Sequence, residues 1–311
     1  MAVCCRNVAR RKLARQPVWH VRSRTGKASV QTMDDQHQHD RALAADDEPQ
    51  FERLWPAGEA LSAAQIVAGF GLWERPQRTP PRPHVLLNMI ATADGHATLG
   101  GRSGALSGPA DRALFHALRS TMDAVLVGAG TVRAERYGRI IADAATRALR
   151  RRRALSEEPL ACIVSGRMRL DTDIPLLAQP AARVAILTAS DASLPATQAH
   201  VDYIRAPRGG QLDLRAALAA LAERFSVRTL LCEGGPHLAY QLLADGLLDE
   251  LFLTLSPKLL GEKGAGGDAL GILAGGELQP PAELQLLAVL RSDSQLFLRY
   301  GMLPRAGAED T

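Results

Sequence analysis

"VLVGAGTVRAE", residues 125–135, decides how the rest of the chain is read. Apolar residues suited to a buried strand run into Gly128-Ala129-Gly130-Thr131, and a charged, helix-prone segment follows. A strand that passes through a glycine corner into a helix is the building unit of an α/β fold. Such a corner is either a tight turn or a cradle in which backbone N–H groups meet a phosphate. Position 133 is Arg, so the full dinucleotide fingerprint GxGxxG is absent, and this stretch alone leaves both readings open.

The same alternation continues on both sides. "HVLLNMIATADG" (84–95) reads as a buried strand, and "SGPADRALFHALRST" (107–121) as a helix with Ser107 as N-cap and Pro109 near its first position. Further strands are expected at "ACIVSG" (161–166), "VAILTAS" (184–190), "TLLCEGG" (229–235) and "LFLTLSPKLLG" (251–261). "DLRAALAALAERF" (213–225) is an amphipathic helix, and another starts at Pro236 and runs to 250. Residues 282–302 read as two antiparallel strands joined near Ser292-Asp293. The pattern predicts a mixed, mostly parallel sheet with helices on both faces and an antiparallel C-terminal edge.

Upstream, residues 1–48 read as a disordered basic and polar tail, with an organelle transit peptide or a nucleic-acid arm as the other readings. "ERPQRTPPRP" (74–83) breaks regular structure. It separates an extension over 49–81, with one helix near 62–68, from a main domain over 82–305; residues 306–311 trail behind. The charge run "RALRRRRALSEEP" (147–159) reads as solvated surface.

Composition narrows the function classes. Apolar residues at 46% allow a large core, while aromatics at 4% leave no platform for stacking bases. No apolar run approaches the ~18 residues of a membrane helix. The cysteines are Cys4, Cys5, Cys162 and Cys232, with no CxxC and no HExxH, so neither a metal site nor a disulfide framework is expected. A reducing compartment, the cytoplasm, fits that usage. The net charge is +4, but the first 30 residues carry eight Lys or Arg and no acid, which leaves the remainder near −4. Nucleic acid is therefore not expected as a partner of the main domain.

In open α/β sheets ligands bind beyond the carboxyl ends of the strands. Two glycine corners, 128–131 and 234–236, open helices there and suit a pyrophosphate. Ser165 and Arg167 in "SGRMR" suit an adenosine 2′-phosphate, or are ordinary surface. Asn88, Asp94, Glu135 and Glu233 near strand ends suit a heterocycle's N–H edges or a proton transfer; turn and cap roles remain the alternative. Arg119 either meets an anionic group or complements a helix dipole.

Three segments together, "RPHVLLNMIATADGHAT" (82–98), "LSGPADRALFHALRSTMDAVLVGAGTV" (106–132) and "EGGPHLAYQLLADGLLDELFLTLSPKLLG" (233–261), resemble the reductase domain of the riboflavin-biosynthesis deaminase/reductase. "SGPADR" and "VGAGTVRAE" resemble its stand-alone, actinobacterial-type relatives more closely still. The resemblance implies a dihydrofolate-reductase-like fold, a homodimer, and NADPH-dependent reduction of 5-amino-6-(5-phosphoribosylamino)uracil by hydride transfer to ribose C1′. It implies that Gly128, Ala129, Gly130, Thr131, Ser165, Arg167, Thr188, Gly234, Gly235 and Pro236 line the NADPH cleft. Asn88, Asp94, Ser107, Arg119, Glu135 and Glu233 would line the substrate side, with Arg119 on the phosphate and Glu233 or Asp94 assisting the proton. The zinc deaminase domain of the bifunctional enzymes is not expected, because residues 1–81 lack its His and paired Cys ligands.

Two departures bear on the substrate. The bifunctional enzymes carry Lys where Asn88 stands, and "ADDP" where Ala134-Glu135-Arg136-Tyr137 stands. Reduction of another heterocycle, such as dihydrofolate or a pterin, is therefore the first alternative. A non-catalytic NADP- or nucleic-acid-binding role is the second.

Overall fold

The computed structural model describes residues 48–261 and 270–304. Residues 1–47 and 305–311, on which most of the tail readings fall, lie outside the described residues.

Eleven strands form one sheet in the order β2-β1-β12-β13-β11-β3-β10-β4-β5-β6-β7. Its centre is parallel: β3 (His84–Thr92), β4 (Ala124–Gly128), β5 (Leu160–Val164), β6 (Arg183–Thr188), β7 (His200–Arg205), β10 (Thr229–Cys232) and β11 (Glu250–Ser256). β12 (Leu284–Ser292) and β13 (Gln295–Met302) add the antiparallel edge, so the expected sheet class is found. A two-residue ribbon, β8 (Pro207–Arg208) with β9 (Gln211–Leu212), lies apart from it.

Alternate residues of each central strand feed two separate cores, as a pleated strand requires. Leu86, Val125, Val127, Ile163, Ile186 and Leu231 pack with α1 (Ala63–Ala68) and α2 (Pro109–Arg119). Val85, Leu87, Leu126, Cys162, Leu187 and Cys232 pack with α5 (Leu214–Phe225) and α6 (Pro236–Ala244) on the other face. The short α3 (Ala129–Ala134) follows β4, and α4 (Ala144–Arg152) starts at an Asp143 N-cap.

Several sequence expectations change. Residues 50–62, set apart as an extension, form β1 (Gln50–Trp55) and β2 (Ala57–Ser62) on the same sheet, because β1 finds a partner in β12 more than 200 residues away. β7 was not anticipated, and α6 stops at Ala244, where Gly246 turns the chain with φ +65°. The N-cap of α2 is Gly108, not Ser107, whose hydroxyl instead donates to Asp111 at 2.6 Å. A Cβ on Gly108 would come within 2.8 Å of Gln295 Oε1, so any larger residue there must displace the Gln295 side chain.

The charge run is not all solvated. Arg150 is 0% exposed. Its guanidinium donates to the carbonyls of Arg119, Ser120, Met122 and Ser156, which closes the C-terminal end of α2. At the amino ends of the parallel strands, Arg82 and Arg78 pair with Asp249, while Arg75, His84 and Arg299 surround Glu250. These pairs fasten the proline-rich segment to β3, β11 and β13.

Candidate functional site

β10 lies between β3 and β4, although more than 90 residues separate it from either in sequence. That crossover places the corner after β10 directly beside the corner after β4. The Gly128 N–H donates to the Gly234 carbonyl at 2.9 Å. Gly234 has φ +84°, a region side chains disfavour, and a Cβ on Gly235 would sit 2.9 Å from Thr131 Oγ1. Gly234 is therefore a glycine position by backbone conformation, while a Cβ on Gly235 would crowd the Thr131 side chain. The Gly234–Gly235 peptide is cis.

Gly130 differs. A Cβ there would meet nothing within 4 Å, and the same holds for Gly166. Both backbones face open ground at the carboxyl ends of β4 and β5. The expected cofactor-side residues Gly128, Ala129, Gly130, Thr131, Gly234, Gly235 and Pro236 are thus brought into one place. Ser165 is buried beside them and Arg167 is exposed. Thr188 is 0% exposed; its hydroxyl donates to the Gly166 carbonyl at 3.3 Å and accepts from the Ser190 N–H at 3.1 Å. It shapes the loops and offers no free hydroxyl, contrary to expectation.

On the α2 face, the Glu233 carboxylate accepts from Arg119 Nε and Nη2, both at 2.7 Å, and from the Tyr137 hydroxyl. The guanidinium lies 4.1 Å over the Phe115 ring, and its Nη1 donates to the Ile140 carbonyl. Burial opposes the Arg119 charge, but Glu233 outweighs it and raises the pKa above the usual arginine value. Burial, and then Glu233, push the Tyr137 hydroxyl well above its ordinary value, so it remains a donor. Only 3% of the Glu233 side chain is exposed. Arg119 and Glu233, both expected on the substrate side, are thus paired with each other on the α2 face.

Asp94 is also committed. It accepts from the Thr92 hydroxyl at 2.5 Å and from the N–H groups of Leu260 and Gly261 at 2.9 and 2.8 Å. The Thr92 bond, then the backbone bonds, hold its carboxyl far below the usual carboxylate range. A carboxyl so held is ionised at neutral pH. Glu135 turns to the 99–106 loop, accepting from Ser103 N at 3.0 Å and Ser103 Oγ at 3.3 Å. Asn88 is half-buried on the Glu233 face; the register pairs Leu87 with Cys232, so Asn88 and Glu233 sit at one level. Tyr137 was missed as a site residue because only its place in a departing motif was visible. Among the described residues no cluster of His, Cys, Asp and Glu has the makings of a metal site.

A family model described as the RibD C-terminal domain matches residues 83–297. The chain belongs to that family. Its relatives within the RibD family include a 2,5-diamino-6-ribosylamino-4(3H)-pyrimidinone 5′-phosphate reductase of Methanothermobacter thermautotrophicus, 29% identical over 68% of this chain and 93% of that one. The riboflavin biosynthesis protein RibD of Mycobacterium tuberculosis is 32% identical over 71% of this chain but only 57% of its own length. The chain thus spans about half of the RibD proteins and most of the stand-alone reductases. A pyrimidine reductase-like protein of Corynebacterium diphtheriae shares the fold, with TM-score 0.61 at 23% identity over 79% of this chain and all of that one.

Proposed function

We propose that this chain is a pyrimidine reductase of riboflavin biosynthesis, using NADPH to reduce a 5-phosphoribosylaminopyrimidine to its ribitylamino product. The observation that carries the reading is the pair of touching glycine corners, with Gly130 and Gly166 facing open ground beside them. Backbone N–H groups of 129–131 and 234–235 would hold the pyrophosphate, and Ser165 and Arg167 the 2′-phosphate. When bound, NADPH supplies the hydride. The chain's own part is orientation: both corners are fixed to each other, and Asn88 offers its amide to the heterocycle. Cys162 and Cys232 are free, and burial pushes both thiols up, which fits a reducing cytoplasm.

We also infer a homodimer. Leu253 and Leu255 on β11, Leu296 and Leu298 on β13, and Val289 on β12 form one half-exposed apolar sheet face, with Leu253 opposite Leu298 and Leu255 opposite Leu296.

The test is anaerobic NADPH oxidation with 5-amino-6-(5-phosphoribosylamino)uracil and with its 2,5-diamino counterpart, the product identified by mass. Turnover of either supports the reading. Turnover of dihydrofolate alone, or of none, rejects it.

A further inference from the structure

The glycine corner at 234–236 has no side chain of its own to hold it, except the ring of Pro236. What enters it is Glu233, the last residue before Gly234, and Glu233 is gripped on both oxygens. Arg119 arrives from the end of α2, 114 residues away, and Tyr137 from the turn after α3, 96 residues away. Tyr137 reaches inward because Arg136 adopts φ +45° and reverses the chain. The Tyr137 backbone is itself held, its N–H donating to Val132 and its carbonyl accepting from Leu176. The Arg119 guanidinium lies 5.5 Å from the Tyr137 ring and 4.1 Å from Phe115, so the clamp is packed as well as hydrogen-bonded.

We propose that Tyr137 is a positioning residue for the cofactor corner: with Arg119 it clamps Glu233 and thereby fixes Gly234–Gly235 against Gly128. Glu135 does not share this task, since its carboxylate is turned to Ser103. The clamp acts on the corner through the backbone that follows Glu233. A pre-set corner meets a pyrophosphate without first losing conformational freedom; a loosened one must be ordered on binding. The claim deepens the cofactor reading and rests on it, but the order of the corner is measurable without any cofactor.

The experiment compares the full-length protein with Tyr137→Phe, which keeps the ring and its packing and removes only the hydroxyl. Two readouts are taken. Amide hydrogen exchange without ligand is expected to quicken about tenfold or more across 233–235 and at Gly128, with β5 and β6 unchanged. NADPH affinity is expected to fall about tenfold. A merely structural role would instead lower the melting temperature with uniform exchange and an unchanged NADPH constant. Unchanged exchange at 233–235 overturns the clamp, whatever the activity. Quickened exchange in a protein that binds no NADPH keeps the clamp and rejects the cofactor reading.

Discussion

Gly130 offers the sharpest test of the cofactor corner, because stability and binding should move in opposite directions there. It sits in the first turn of α3 with a backbone that L-residues adopt, and an added Cβ meets no atom within 4 Å. Alanine should therefore be neutral or stabilising, by up to about 1 kcal/mol from reduced unfolded-chain entropy. In a chain of this size that raises the melting temperature by roughly 2–4 °C. Valine fits the same open ground and should leave the fold intact. What its methyls occupy is the space where a phosphate must approach the N–H groups. Losing two charge-assisted bonds at about 1.5–3 kcal/mol each would weaken NADPH binding roughly 10²–10⁴-fold. Thermal denaturation and isothermal titration calorimetry of wild type, Gly130→Ala and Gly130→Val read both quantities. A folded valine variant that binds NADPH as wild type does would refute the assignment of this corner. Gly235→Ala is the internal contrast: its Cβ would lie 2.9 Å from Thr131 Oγ1, so stability itself should fall.

Three further outcomes follow from the same geometry. Burial raises the Glu250 carboxyl, but bonds from His84 and Arg299 outweigh it and hold the pKa down to about 2 from 4.5. That stabilisation, roughly 3 kcal/mol, is full above pH ~4.5 and is lost as pH falls toward 2; urea midpoints should drop across this window, and much less steeply in Glu250→Gln. Arg150→Leu removes the donor to the last carbonyls of α2 and should cost about 3 kcal/mol or more in chemical denaturation, where a solvated arginine would cost under ~0.5. Leu298→Lys places a charge in the apolar face of β13, so, if the proposed dimer forms through it, sedimentation should report a smaller mass than for wild type; equal masses would count against that interface.

Much of the fold was legible. The alternation of apolar strands with helical segments, and the Gly, Pro and Asp punctuation between them, are local signals that need no long-range information. They located β3 to β6, β10 to β13, α2 and α5 to within a few residues. The site was legible only as a set of strand ends. Residue type said that Glu233 and Arg119 could meet a ligand; it did not say that they would meet each other. The three hydrogen bonds that hold Asp94 come partly from Leu260 and Gly261, far along the chain, and residue type alone did not announce them.

The sequence by itself determined the α/β class, the two-sided burial of the central strands and the positions of the glycine corners, because periodicity and backbone freedom are properties of neighbouring residues. Only the tertiary structure decided that β10 enters between β3 and β4, that β1 joins β12, and that Arg150 is buried while its neighbours Arg151 and Arg152 are exposed. Those outcomes depend on which strand edge and which carbonyl or carboxylate is nearest once the chain has closed on itself. A buried charge is settled by the partner that reaches it, and no local pattern names that partner.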